Sequence, residues 1–208
     1  MALWTINNFL SISEDYEGKL DVDKLVQAGI GSVIDTRLVL PPDYIQRERM
    51  RLMESHIMYG LMPLDKSLVG PFSLVESVCR DILSDMNFGY RVAVHENVGQ
   101  GNALFLSALA FMKLGFAPKH SLEMLMSAGK TNDLSEPQKK FMNAYGEYLV
   151  QLPYVRHDEE QMVLRRKMMQ TMEDKDPVSQ GNLSQQDFLI RRSLDTRTQG
   201  KTHGKSGC

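Results

Sequence analysis

The stretch RVAVHENVGQGNALFLSALAFMKLGF, residues 91–116, decides how the whole chain is read. A short apolar run, Val92 to Val94, meets His95 and Glu96; a loop with glycines at 99 and 101 follows, and then apolar residues recur at helical spacing. The pattern is strand, glycine loop, helix. Such a junction aims several backbone N–H groups and the positive end of a helix dipole at one point, which is how proteins hold phosphate without side chains. The side chains here are wrong for that ligand, because Glu96 stands at the head of the loop. The segment ALFLSALAFMKLGF, residues 103–116, is apolar nearly all round, which predicts a helix running through the centre of the domain.

Around this junction the chain has the composition of a soluble globular protein. Its 208 residues, 42% hydrophobic and 24% charged, suit one domain of ordinary size with a tail to spare. A net charge of −2 gives no electrostatic reason to expect nucleic acid as a partner. Two cysteines, Cys79 and Cys208, cannot make a disulfide framework, and neither has a companion at metal-ligand spacing. No apolar stretch approaches membrane length, and the start, MALWTINNFLSISEDYEGKL, becomes acidic too soon for a secretory signal. The expected setting is reducing, intracellular and cytoplasmic; a specialised secretion route would leave no mark of this kind.

Strands and helices alternate. GSVIDTRL (31–38) is a buried strand by its β-branched content, HIMYGLMPL (56–64) a second strand weakened by Gly60, and YRVAV (90–94) the third. Helices are expected over DVDKLVQAG, over 43–55, and over PFSLVESVCRDILSDM, where Phe72, Val75, Val78, Cys79, Ile82 and Leu83 share one face. Cys79 on that stripe is a small core hydrophobe, with nothing nearby to lower a thiol pKa. Two further helices follow, PKHSLEMLMSAG and SEPQKKFMNAYGEYLVQL, the second opening with Ser135 and Gln138 at capping-box spacing. This alternation implies a largely parallel sheet with helices on both faces. Beyond Pro153 large apolar residues thin out, so 153–208 is expected to be a polar, flexible tail, helical near 159–173.

This order of features resembles the compact dual-specificity branch of the cysteine-dependent protein phosphatases. Their strand leads into a loop of pattern HCxxGxxR and then the central helix; here His95, Glu96, Gly99 and Asn102 stand at those positions, followed by Ala103 where a hydroxyl-bearing residue is usual. LVQAGIGSVIDTR looks like the family's first helix and strand, MPLDKS sits where its general-acid loop lies, and FAPKHSLEMLMSAGKTNDLSEPQKKFMNAYGEYL resembles the closing helix pair. The resemblance spans residues 8–152 and implies an α/β, three-layer phosphatase-like fold with a central, mostly parallel sheet.

Family chemistry needs a thiolate to attack phosphorus, a backbone cradle and an arginine to hold the transition state, and an aspartate to protonate the leaving oxygen. Carried onto this chain, the loop His95, Glu96, Asn97, Val98, Gly99, Gln100, Gly101, Asn102 is degenerate. Glu96 replaces the thiol, Asn102 the arginine and Ala103 the hydroxyl, while Asp65 falls on the acid and His95 on the residue that orients the loop. Two unit charges about 4 Å apart repel by about 4 kcal/mol at an effective dielectric of about 20, and a dianion doubles this, so Glu96 opposes phosphate. The resemblance therefore implies a pseudophosphatase with no catalytic residue, cofactor or metal, with weak or absent phosphate binding, and with a protein partner whose identity the sequence does not give. Glu96 is expected to serve as an internal anion that fills the cradle.

Two other readings remain open at this point. One is a hydrolase of altered chemistry, with Glu96 as nucleophile or general base and Asp65 or His95 assisting; against it, such carboxylates usually work beside a metal, and Asp65 reads equally as a turn aspartate. The other is an effector or scaffold acting through its tail, where EEQMVLRRKMMQTM has the methionines and basic residues of a partner-binding helix and Ser193 in IRRSL looks like a basophilic-kinase substrate. His56, His120, His157 and His203 are scattered and suit surface positions.

Overall fold

The computed structural model describes residues 1–16, 19–38, 40–67, 71–131, 134–151 and 159–173. Among them β5 (Arg91–Asn97) is the middle of a five-stranded sheet. Val92, Ala93 and Val94 are apolar and fully buried, as a strand covered on both faces must be. β2 (Leu10–Asp15) and β3 (Ile30–Asp35) flank it, both parallel to it. β4 (Met58–Leu61) lies parallel on the far side of β3, and β1 (Ala2–Thr5) closes the opposite edge, antiparallel to β2. The order is β1-β2-β5-β3-β4. The expectation of a largely parallel sheet in a three-layer α/β fold holds.

The side-chain alternation of the strands divides two cores. Leu10 and Ile12 of β2, Ile34 of β3 and Val92 and Val94 of β5 join the larger cluster, with α3 (Phe72–Asn87), α4 (Asn102–Lys113), α5 (Pro118–Met126) and α6 (Glu136–Gln151). Val33 and Ala93 face the other way, toward Val22 and Leu25 of α1 (Val22–Gln27) and Leu52 of α2 (Pro42–Glu54). Every residue from Asn102 to Met112 is buried, so α4 is the central helix its all-round apolarity predicts. Cys79 is fully buried, and burial pushes its thiol well above the ordinary range.

Three features differ from the sequence reading. The hairpin β1–β2 brings residues before 8 into the sheet, and its second strand, LSISED, is buried along its whole length although four of its six residues are polar. β5 continues three residues beyond Val94: Thr36 N–H donates to His95 O (2.8 Å) and Val98 N–H to Asp15 O (3.3 Å). In α7 (Glu159–Glu173), Leu164 and Met168 form one apolar stripe buried against the larger cluster, and Arg165 lies 4.7 Å over the Phe116 ring. α7 up to Met172 belongs to the same compact unit as the sheet. His157, Ser193, His203, Cys208 and the segment 174–208 lie outside the described residues. Among the described residues no helix is long and apolar enough to cross a membrane.

α2 is attached mainly by charge, since its buried residues are Leu52 and Glu48. Arg37, just past β3, donates through Nε (2.9 Å) and Nη2 (2.6 Å) to Asp35 and through Nη2 to Glu48 (2.5 Å). Tyr59 OH donates to Asp35 (2.8 Å), Tyr44 OH and Leu20 N–H to Glu48 (2.6 and 2.8 Å). Removing one partner of such a centre leaves a buried charge without compensation. Arg37→Leu is therefore expected to destabilise the fold by about 3–5 kcal/mol in urea titrations; a loss below about 1 kcal/mol would show that this centre does not hold α2.

Candidate functional site

Strand parity sets the site. β2 and β5 run in register with Ser13 opposite His95 and Glu14 opposite Glu96, so the two pairs fall on opposite faces of the sheet. His95 turns toward α1 and α2, where its Nδ1 shares a 2.9 Å hydrogen bond with Ser13 Oγ. Burial, aided by the positive charge of Arg37, lowers the His95 pKa to about 4, so the ring is neutral near pH 7.

Glu96 turns toward α4. Its Oε2 accepts the N–H of Ala103 at 2.9 Å, a donor that the first turn of a helix leaves without an intrahelical partner. The N-cap residue of α4 is Gly101 (φ +70°), which has no side chain to cap with, so Glu96 does the capping from the adjacent strand. Its Oε1 lies 3.3 Å from Lys130 Nζ, and Lys130 also pairs with Glu14. Glu14, Glu96 and Lys130 are 5%, 0% and 3% exposed. Burial, and then a hydrogen bond from the Glu14 carboxyl, push the Glu96 pKa up to about 7, against the pull of the Ala103 N–H and of Lys130. The Lys130 ammonium also stands 5.4 Å from the Trp4 ring.

The loop between strand and helix is less convergent than its pattern suggests. Val98 N–H is the last rung of the β2–β5 ladder, and Gln100 N–H closes a turn onto Asn97 O (3.3 Å). Gly99 and Gly101 take left-handed conformations (φ +75° and +70°), which explains glycine at both. Glu96 is expected from the sequence to accept the N–H groups of the loop; the amide it takes is that of Ala103, in the first turn of α4.

Asn102 is buried and held by two protein partners. Its Nδ2 donates to Leu64 O (2.9 Å), and its Oδ1 accepts from Gln138 Nε2 (2.8 Å). Gln138 simultaneously accepts Ser135 N–H through Oε1 (2.9 Å), completing the capping box read from the sequence. Asp65 adjoins Leu64, but its carboxylate turns back to Ser67 N–H (2.8 Å) and Oγ (2.7 Å), and these bonds lower its pKa. That is the geometry of a turn aspartate. Among the described residues no group of three or more His, Cys, Asp or Glu is placed to hold a metal ion.

Thus the structure joins Glu96 to Ala103 and Asn102 to the loop of Asp65, and sends His95 to the opposite face. The sequence reading missed Glu14, Lys130 and Ser13. Glu14 and Ser13 carry a signal only once β2 is known to pair with β5 in parallel; Lys130, between two helices, carries none.

No family model matches the sequence, and no curated protein does. Solved structures do match: human DUSP28 (13% identity, covering 72% of this chain and 98% of that one, TM-score 0.58), DUSP15 (15%, 79% and 96%, 0.58) and PTPMT1 (11%, 72% and 96%, 0.58). The chain has the fold of the dual-specificity and protein tyrosine phosphatases, as the sequence resemblance implied.

The two perturbed groups act oppositely on stability. Glu96 keeps its proton to about pH 7 when folded but loses it near 4.5 when unfolded, so its contribution is full below about 4.5 and is lost as pH rises through 7. His95 stays neutral down to about pH 4 when folded but takes a proton near 6.5 when unfolded, so it costs stability as pH falls through that window. Glu96→Gln removes the first effect and leaves the second. The melting temperature of E96Q minus that of the wild type should therefore grow by at least about 3 °C between pH 5 and pH 8 in calorimetry, and a constant difference would refute the raised pKa.

Proposed function

We propose that this chain is a catalytically inactive phosphatase-fold domain, intracellular, that works as a protein-binding or regulatory module. The observation that carries the reading is the engagement of the two positions where the family places its nucleophile and its arginine. Glu96 is wholly buried and bonded to Ala103 N–H and Lys130, and Asn102 is locked between Leu64 O and Gln138. A phosphate dianion placed at the head of α4 would have to displace a carboxylate already seated on that helix terminus. It would find a neutral amide where a bidentate guanidinium is needed. Asp65, bound to Ser67, has no thiolate to serve.

The same burial speaks against Glu96 as a nucleophile or general base, since a reacting phosphorus must approach within van der Waals contact. The domain proper is read as 8–152, extended by β1 at the edge of the sheet and by α7, whose Leu164 and Met168 pack on the larger cluster. The partner is a protein recognised by surfaces other than the glycine loop.

The test is a pair of assays on the purified full chain. Turnover of an aryl phosphate should be absent in the wild type, and tungstate should not bind at micromolar concentration in calorimetry. Hydrolysis that disappears in Glu96→Ala, or micromolar tungstate binding, would overturn the reading.

A further inference from the structure

The outer edge of β4 has no further strand beside it among the described residues. Met62 N–H donates to Asp35 O (2.7 Å) and Leu64 N–H to Thr36 O (3.1 Å), so the even-numbered residues of this run turn their backbone groups toward β3. By the alternation of a strand, Tyr59 and Leu61 turn theirs outward. Pro63, the next outward position, has no N–H, so the open ladder ends at Leu61. Edge strands are commonly guarded by charged side chains, and from Ile57 to Leu64 there is none.

We propose that this edge is a docking site for an extended segment of a protein partner, which adds as a strand beside β4 and carries acidic side chains on the face toward α2. The inference rests on the protein-binding reading above and gives it a surface and a chemistry.

The two sides of the edge differ. Met58 lies in register with Ser32 and Gly60 with Ile34, on the side of α3; Tyr59 and Leu61, in register with Val33 and Asp35, lie on the side of α2. On the first side Met58 is 40% exposed, and Ile34 Cδ1 comes within 3.0 Å of where a Cβ on Gly60 would stand. An apolar side chain opposite Gly60 would rest on these two. On the second side Leu61 is 41% exposed, beside α2, which packs on β4.

The helix decides the charge of the partner. Glu48 and Leu52 mark the buried line of α2. Tyr44 lies to one side of that line, its ring 5.9 Å from the guanidinium of Arg37, just past β3. Ile45, Arg49 and Met53 lie to the other side, which is therefore the flank above the open edge. Arg49 and Met53 are exposed, and the residues three and four positions from Arg49 are Ile45, Gln46, Leu52 and Met53, so no acid on the helix neutralises it. A cation among apolar side chains, above a row of free backbone groups, suits a strand that alternates apolar and acidic residues.

A second copy of the chain is the wrong occupant, because a two-fold axis along the edge would set this cationic flank against itself. A strand this short covers well under the roughly 800 Å² per partner of a standard interface, so the complex is weak and transient.

The probe is a short, end-blocked, fluorescently labelled peptide alternating valine and glutamate, titrated with the full-length protein and read by anisotropy. It should bind with a dissociation constant of about 100 µM or below, and at least about tenfold tighter than the matching valine–lysine peptide. Raising the salt from about 50 mM to about 0.5 M should narrow that gap. Arg49→Glu should reverse the order of the two peptides. Leu61→Pro removes an outward donor and should abolish the binding of both while far-ultraviolet circular dichroism stays constant. Amide exchange at Tyr59 and Leu61 should slow several-fold on saturation with the valine–glutamate peptide, whereas Met62, already bonded to β3, should change little.

No saturable binding up to about 1 mM, equal binding of the two peptides, or binding that L61P retains would overturn the proposal. So would slow exchange at Tyr59 and Leu61 in the free protein, whether in a monomer, where a segment of the same chain holds the edge, or in a concentration-dependent dimer. Should L61P not fold, R49E decides the matter by reversal or its absence. Phosphoester turnover by the wild type would sink the inactive reading and leave the peptide titration as measured, whereas absence of peptide binding would sink this surface and leave the turnover assay as it stands.

Discussion

The alternation of side chains along β5 is the constraint on which the rest depends. A parallel interior strand has two buried faces, so each successive residue must satisfy a different neighbourhood. Val92, Val94 and Glu96 face α4; Ala93 and His95 face α1 and α2. A shift by one residue would place Glu96 against Ser13 and the Arg37 centre and leave His95 at the head of α4. The register with β2 prevents this. It places Ser13 opposite His95 and Glu14 opposite Glu96, so that His95 meets the Ser13 hydroxyl on one face while Glu96 shares Lys130 with Glu14 on the other.

Two buried ionic centres therefore lie on opposite faces of one sheet, and they differ in kind. Around Arg37, a planar guanidinium with several fixed donors, two tyrosine hydroxyls and the Leu20 and Arg37 amides serve Asp35 and Glu48 together. Such an array fixes geometry, and it pins α2 to the end of β3. Around Lys130 the cation is a point charge on a flexible stem that reaches both Glu14 and Glu96, and Glu96 takes further stabilisation from the helix terminus through Ala103 N–H. This second centre sits at the end of β5, beside the N-terminus of α4.

Much of the architecture is legible in the sequence because its signals are local. The all-round apolarity of residues 103–112, the one-faced stripe through Val75, Cys79 and Ile82, and the Ser135–Gln138 box each dictate an element without reference to the rest of the chain. β2 is illegible for the opposite reason. Ser13 and Glu14 are buried against His95 and Lys130, 82 and 116 residues away, and no periodicity within LSISED announces that. At the site, the positions of Glu96 and Asn102 are readable from the loop pattern, but what they do is not. Glu96 caps a helix and Asn102 ties two loops, and both roles require Lys130, Leu64 and Gln138, which only the tertiary fold brings near.

Under the inactive reading proposed above, the side chains at 96, 102 and 103 have a common physical sense. A low-pKa thiolate beside a helix terminus and an arginine is held ready by positive charge that a substrate anion then shares. Glu96 uses the helix terminus for itself, and with the anion built in, an arginine at 102 would have no external charge to hold. An amide is the better residue there, since Asn102 both donates to Leu64 O and accepts from Gln138, which a guanidinium cannot do. Ala103 needs no hydroxyl in this arrangement, because its backbone N–H is the donor in use. On this argument the three residues act together, and their contacts hold β5, α4 and the loop of Asp65 in place.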